Sequence, residues 1–225
     1  MDRQVLLRKI MGIGDDVRRL QQDLVALQSI DIVKYPENYS SLSHQAAINC
    51  EFITRKMREL VCSTTNISKM EYLEAAADVM GINVTYDGSG VDITIPCLIP
   101  HRRKKQMSII TDPLSAALAR FVASHPQDTP FLRFTHCVIC ITHIYDKTLY
   151  GKGRKRDHDN IEVKGVIDVI NTFLLTDDNE NLCDVYTSSE LSDHDTTRIS
   201  VIKKDMFSEW IQRHENQPEK LSLFT

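Results

Sequence analysis

The run Phe134-Thr135-His136-Cys137-Val138-Ile139-Cys140-Ile141-Thr142-His143-Ile144 decides the fold class. Both alternating sets of positions are largely apolar, so as a strand it is buried on both faces and belongs inside a sheet. Downstream, Ile161, Val163, Val166, Ile167, Val169 and Ile170 recur at helical spacing as far as Phe173-Leu174-Leu175, where Asp177-Asp178-Asn179 ends the helix. Two further strands, Leu182 to Ser189 and Thr197 to Lys203, follow around a polar turn at Ser192 to Thr196. Phe207, Trp210 and Ile211 supply the buried side of a closing helix.

Upstream, Ile82 to Tyr86 and Val91 to Ile99 flank Asp87-Gly88-Ser89-Gly90, which is turn chemistry, so they predict a hairpin. A short helix from Lys69 to Met80 precedes it. Asp112-Pro113 predicts a helix start with proline in the first turn and Leu114, Ala117, Leu118 and Phe121 as its apolar stripe. The first third of the chain is different. Leu6, Ile10, Ile13, Val17, Leu20, Leu24 and Leu27 alternate steps of four and three, a narrow helical seam, and Ala46, Cys50, Ile53, Met57 and Leu60 repeat it after Tyr35-Pro36. These two helices predict an antiparallel hairpin or part of a dimer. The expected class is α+β, with residues 1–66 a helical hairpin or coiled-coil region and residues 67–225 a mixed β-sheet packed with helices.

A chain of 225 residues with 42% hydrophobic and 26% charged residues can bury a core and is not disordered by composition. Its net charge of -4 provides no global attraction for nucleic acid, so such binding would need local basic patches. Two are present: Arg102, Arg103, Lys104 and Lys105 in one, Lys152, Arg154, Lys155 and Arg156 in the other. No apolar run approaches the roughly 20 residues of a membrane span, and no signal-peptide core follows Met1, so a cytoplasmic protein without membrane contact is expected. Six scattered cysteines read as thiols. Cys137 and Cys140 spell CxxC, but within a strand and without a second pair, which favours packing over zinc or redox chemistry.

The densest chemistry lies at Arg156-Asp157-His158-Asp159-Asn160, followed by Lys164, Asp168 and Asp177-Asp178. Asp157 and Asp159 leave the same face of an extended segment, and Asp159 or Asn160 can cap a helix starting there. Mg2+ takes a few carboxylates and keeps positions for water and phosphate, a role open to Asp157, Asp159 and Asp178. Lys164, about one turn into the helix, can face a phosphate or pair with Asp168 at i,i+4. His158 alternates to the opposite face, and Asp193-His194-Asp195 reads as a turn.

This pattern resembles the signature of RusA-type Holliday junction resolvases: an Asp-x-Asp-Asn motif, a helical Lys and Asp, and a closing Asp-Asp. The resemblance spans roughly residues 81–203 and is most specific from Arg154 to Asp178. It implies a metal-dependent endodeoxyribonuclease, a homodimer that cleaves branched DNA, with Asp157, Asp159 and Asp178 holding Mg2+ (or Mn2+) and Lys164 needed for cleavage. Lys164 stands five residues after Asp159 where the family pattern usually has four, a rotation of about 100° on a helix. A local adjustment at the helix start would absorb it. The helical region before Ile67 is an addition, and a protein partner could bind there. The alternatives are a RusA-fold protein that binds junctions or another protein without cutting, and a structural protein acting through its N-terminal helices.

Overall fold

The computed structural model describes residues 2–99, 108–125, 133–148, 163–176 and 182–215. The chain divides into two compact units, Met1–Tyr72 and Leu73–Thr225, and is α+β with a helical N-terminal region.

In the first unit, α1 (Arg3–Ser29) starts at Asp2, whose carboxylate accepts the Gln4 N–H, and α2 (Pro36–Thr64) starts with proline at its first position, where no helical N–H is required. The helices are antiparallel. Asn49 donates to Asp23 at 2.7 Å and Lys56 pairs with Asp16, so seven residues forward on α2 are seven back on α1. The apolar seam divides between two directions. Ile13 and Ala46 are buried and Leu6, Leu20, Leu27, Ile53 and Leu60 half-buried, whereas Ile10, Val17, Leu24, Cys50 and Met57 remain exposed. One helix-helix contact uses only every seventh residue of each seam.

α3 (Lys69–Met80) is opened by a capping box: the Ser68 hydroxyl accepts the Glu71 N–H, and the Glu71 carboxylate accepts the Ser68 N–H, each at 3.1 Å. It closes in a Schellman arrangement, with Ile82 N–H to Ala77 C=O and Gly81 N–H to Asp78 C=O, both 3.0 Å. Gly81 takes φ +72° there, which a side chain would resist.

The second unit is built on a five-stranded mixed sheet in the order β1-β2-β5-β3-β4. β1 (Asn83–Tyr86) and β2 (Gly90–Ile95) form the expected hairpin. β3 (Cys137–Asp146) is an interior strand flanked by β5 (Thr196–Lys203), antiparallel, and by β4 (Cys183–Ser192), parallel. The β4–β5 connection is only Asp193 to Asp195, yet the two strands do not pair. They stand on either side of β3, and the turn arches over its end. The Asp195 carboxylate accepts the Asp146 N–H at 2.9 Å, and Lys147 N–H donates to Ser192 C=O at 2.8 Å.

α4 (Ser108–Ser124) and α5 (Lys164–Leu174) cover one face. Val91, Ile93, Ile95, Ile139, Ile141, Ile199 and Val201 pack with Leu114, Leu118, Val166, Ile170 and Leu174 in one cluster; each fully buried aliphatic side chain contributes about 1.5–3 kcal/mol. On the opposite face Val138, Cys140 and Ile202 lie with Tyr186 under Phe207 and Trp210 of α6 (Phe207–Glu215). Two helix starts differ from expectation. α4 begins at Ser108, four residues before Asp112, so Pro113 lies within the helix; Ile110, 5% exposed, anchors the added turn in the core. α5 begins at Lys164, with Val163 as its N-cap and no side-chain cap. The N-cap position is thus Val163 rather than Asp159 or Asn160, both of which lie outside the described residues.

Candidate functional site

Among the residues singled out for chemistry, Asp157, Asp159, Asp178 and the basic positions Arg102, Arg103, Lys104, Lys105, Lys152, Arg154, Lys155 and Arg156 lie outside the described residues. Lys164 and Asp168 lie within them, both exposed on α5. Lys164 is the first residue of the helix, not a turn inside it as expected. There its ammonium opposes the helix dipole, and no acidic residue in the first turn offsets it. The first-turn N–H groups, which have no acceptor within a helix, point the same way as that charge, so this end of α5 favours an anion.

The β3–α5–β4 unit positions both ends of α5. β3 and β4 run parallel in register from Cys137↔Cys183 to Asp146↔Ser192, so the helix between them returns against their direction. Its C-terminus is tied to the segment leading into β3: Phe134 N–H donates to Leu174 C=O at 2.7 Å and Thr176 N–H to Phe134 C=O at 2.9 Å. Its 11 residues span about 16 Å. Lys164 and Thr176 thus mark opposite ends of the crossover.

Polar residues collect inside the sheet toward the C-terminal end of β3. On the α4 and α5 face, His143 is 1% exposed and stands opposite Ser189 and Thr197. The Thr197 hydroxyl donates to Cys97 C=O at 2.8 Å and accepts the Ile99 N–H at 3.3 Å. On the other face Thr142 and Ser188 share a hydrogen bond of 3.0 Å. Glu190, 8% exposed, lies 3.9 Å from Arg198. Buried His143 interrupts the largely apolar β3, a polar break visible in the sequence, and Glu190 is a buried carboxylate on the more polar β4; neither was among the expected site residues. Asp193-His194-Asp195 is the turn expected; hydrogen bonds from His194 and Ser192 hold the Asp193 carboxyl below its ordinary value.

At the opposite end of β3 a cleft of about 530 Å³ is lined by Arg133, Phe134, Thr135, His136, Lys203, Lys204 and Asp205. Arg133 donates to Leu175 C=O at 2.9 Å and Lys204 pairs with Asp184 at 2.6 Å, so the cations are held while Lys203 extends into solvent. This basic surface is assembled from segments some seventy residues apart, so no local run announced it.

Cys137 and Cys140 lie on opposite faces of β3, one in each apolar cluster. A pair so divided cannot close on one ion. Burial pushes both thiols up to about 12, which removes the thiolate that metal binding or disulfide exchange needs. Among the described residues no group of three His, Cys, Asp or Glu could hold a metal ion.

Fold and chemistry together define an α+β protein in which a helical hairpin precedes a mixed sheet with a parallel β-α-β crossover. The chain belongs to a family of unknown function, DUF6100, whose model matches residues 2–224. No curated protein matches it. Among solved structures, the periplasmic domain of Helicobacter pylori MotB (residues 90–256) is 12% identical, covering 61% of this chain and 91% of that one, with a TM-score of 0.32. A second MotB periplasmic domain (residues 64–256) is likewise 12% identical, covers 61% and 78%, and has a TM-score of 0.31. Likeness at that level carries no argument about fold or activity.

Proposed function

We propose that this protein is a Mg2+- or Mn2+-dependent, structure-selective endonuclease that cleaves branched DNA, Holliday junctions among them, by phosphodiester hydrolysis. The observation that carries the reading is the motif running from Arg156 to Asp178 around α5, whose first residue is the exposed Lys164. Asp157, Asp159 and Asp178 would together offer an all-carboxylate donor set of the kind that suits a hard divalent ion. Such an ion supplies positive charge against the scissile phosphate and acidifies a water molecule. Lys164, beside the first-turn N–H groups, offers a second positive element to the phosphate. Arg133, His136, Lys203 and Lys204 offer the DNA backbone a further basic surface, beside the four basic residues on either side of Gly153 and those after His101. A homodimer would present two such sites to the two strands of a junction. A cytoplasmic location accords with six free cysteines, and no helix among the described residues is long and apolar enough to cross a membrane.

A second reading is favoured by the position of Lys164. Five residues after Asp159 rather than four, it departs from the resolvase pattern at the residue that pattern needs for cleavage, and it stands at the first residue of α5. In that reading the protein binds junctions, or another protein, without cutting. Synthetic four-way junctions, forks and flaps incubated with the purified chain and Mg2+, beside Asp159→Asn, separate the two. Nicks made by the wild type and not by the variant support the nuclease. Salt-sensitive binding to every substrate with no nicking overturns it in favour of the binding protein.

A further inference from the structure

The helical unit is underburied by itself. Among its described side chains only Ile13 and Ala46 fall to 8% and 5% exposure, which is too little apolar burial to hold two long helices against their conformational entropy. In each helix the exposed members of the seam follow the inward ones by four residues: Ile10, Val17 and Leu24 after Leu6, Ile13 and Leu20, and Cys50 and Met57 after Ala46 and Ile53. Four residues turn a helix by about 40° in a fixed sense. Because α1 and α2 are antiparallel, the same sense of turn aims both sets at one side of the hairpin.

That side is mostly uncharged, with Arg3, seven residues before Ile10, at its N-terminal end. On α2 it continues through Ser43, Ala47, Thr54 and Val61; on α1 through Leu7, Gly14, Gln21 and Gln28. At its margin lie Arg18, paired with Asp15, and on α2 Glu51 and Arg58, five residues after Ala46 and Ile53. A side chain at Gly14 would meet nothing within 4 Å, so a neighbouring helix could approach closely there. Leu7, Ile10, Met11, Val17, Leu24 and Val25 are each 46–67% exposed.

We propose that this face pairs with the same face of a second copy, two hairpins forming a four-helix bundle. The seam spacing of four and three is that of helix bundles, in which each helix packs on two neighbours; the hairpin provides one neighbour and a second copy provides the other. Self-pairing sets few like charges against one another, because most of the face is uncharged and its charged residues lie at one end or at the margins. Two such faces cover on the order of 1,000 Å² or more, the extent a specific interface requires. This inference rests on the helical unit alone and stands or falls apart from the nuclease reading.

Cys50 and Cys62 are both exposed in the single chain. Only Cys50 lies on the proposed face, so the intact protein carries its own probe. Alkylation by iodoacetamide is followed by mass spectrometry at protein concentrations from nanomolar to tens of micromolar, with mass measured by light scattering. The expected result is a dimer whose Cys50 labels at least tenfold more slowly as concentration rises, with Cys62 unchanged. Val17→Glu should give a monomer in which Cys50 labels as fast as Cys62 at every concentration, while Arg19→Glu, on another side of α1, should behave as wild type. A monomeric wild type overturns the proposal, including one whose Cys50 is protected independently of concentration. So does a dimer that survives Val17→Glu with Cys50 still protected.

Discussion

The carboxylate of Asp195 accepts the backbone N–H of Asp146 at 2.9 Å, and this bond holds the β4–β5 turn over the end of the strand that separates β4 from β5. A three-residue link that must step across an intervening strand has little slack. Asp195→Ala leaves the Asp146 N–H without that acceptor and should cost about 1.5–3 kcal/mol, as expected for a hydrogen bond to a charged group. Urea denaturation of the two proteins measures it; an unchanged midpoint would show that the turn is held otherwise.

Gly90 starts β2 directly against β5. A Cβ at this position would lie 2.7 Å from the Val201 carbonyl oxygen and 2.8 Å from a methyl of Ile202. Backbone on one side and a core side chain on the other leave no inexpensive retreat. Gly90→Ala should destabilise by about 1–3 kcal/mol, whereas Gly14→Ala, where space is open, should not weaken the isolated helix. Thermal or urea unfolding of the two variants beside wild type checks both.

Arg120 grips Asp78 with both guanidinium nitrogens, at 2.9 and 2.6 Å, joining α3 to α4. The hydrogen bond from Arg120 lowers the Asp78 pKa. A depressed folded-state value gives stability that is present above the unfolded carboxyl value and is lost as pH falls through the lower, folded one. Both partners are well exposed, so the effect is small. Asp78→Asn should lower the urea midpoint slightly at neutral pH, and the gap from wild type should close in strong acid. A gap that widens on acidification would contradict the assignment.

If the nuclease reading holds, Lys164→Ala should reduce junction cleavage by about 10²–10³-fold, the loss typical of removing one group that stabilises transition-state charge, with junction affinity nearly retained. Lys203→Ala should act differently. Removing a cation that sits against the DNA backbone weakens binding across substrates and lowers the slope of log affinity on log salt by about one. Filter binding across a salt series, run beside a nicking assay, distinguishes the two effects.

The elements were legible where a local pattern had one physical reading. β3 alternates two apolar sets and is buried on both faces; Asp87 to Gly90 is a turn because the Asp87 carboxylate accepts the Ser89 and Gly90 N–H groups. Helix starts were less legible. Pro113 looks like a first-turn proline only when the buried Ile110 before it is hidden beside a basic run, and Asp159 looks like a cap only if the helix begins at once. The Ser68–Glu71 capping box is a local signal too, and it marks the start of α3 more sharply than apolar spacing does. The insertion of β5 between β2 and β3 depends on pairings such as Asp92 with Ser200, more than a hundred residues apart, which no window of local periodicity contains. For the same reason the basic cleft of Arg133 and Lys204 became apparent only once the sheet was formed, while the acidic motif, being contiguous, could be named from sequence.

The strand order has a consequence for the life of the chain during synthesis. Of the five described strands β5 is the last to leave the ribosome, yet it is the one that joins the β1-β2 hairpin to the β3-β4 pair. Until Thr196 to Lys203 has emerged, β2 and β3 each present an open hydrogen-bonding edge, and their apolar faces share no sheet. The nascent protein therefore holds two half-sheets that close at a late moment and all at once. Ribosome stalling or proteolysis near Asp193 would release a chain with both edges bare, the form of this molecule most prone to pair with its own kind in the wrong register.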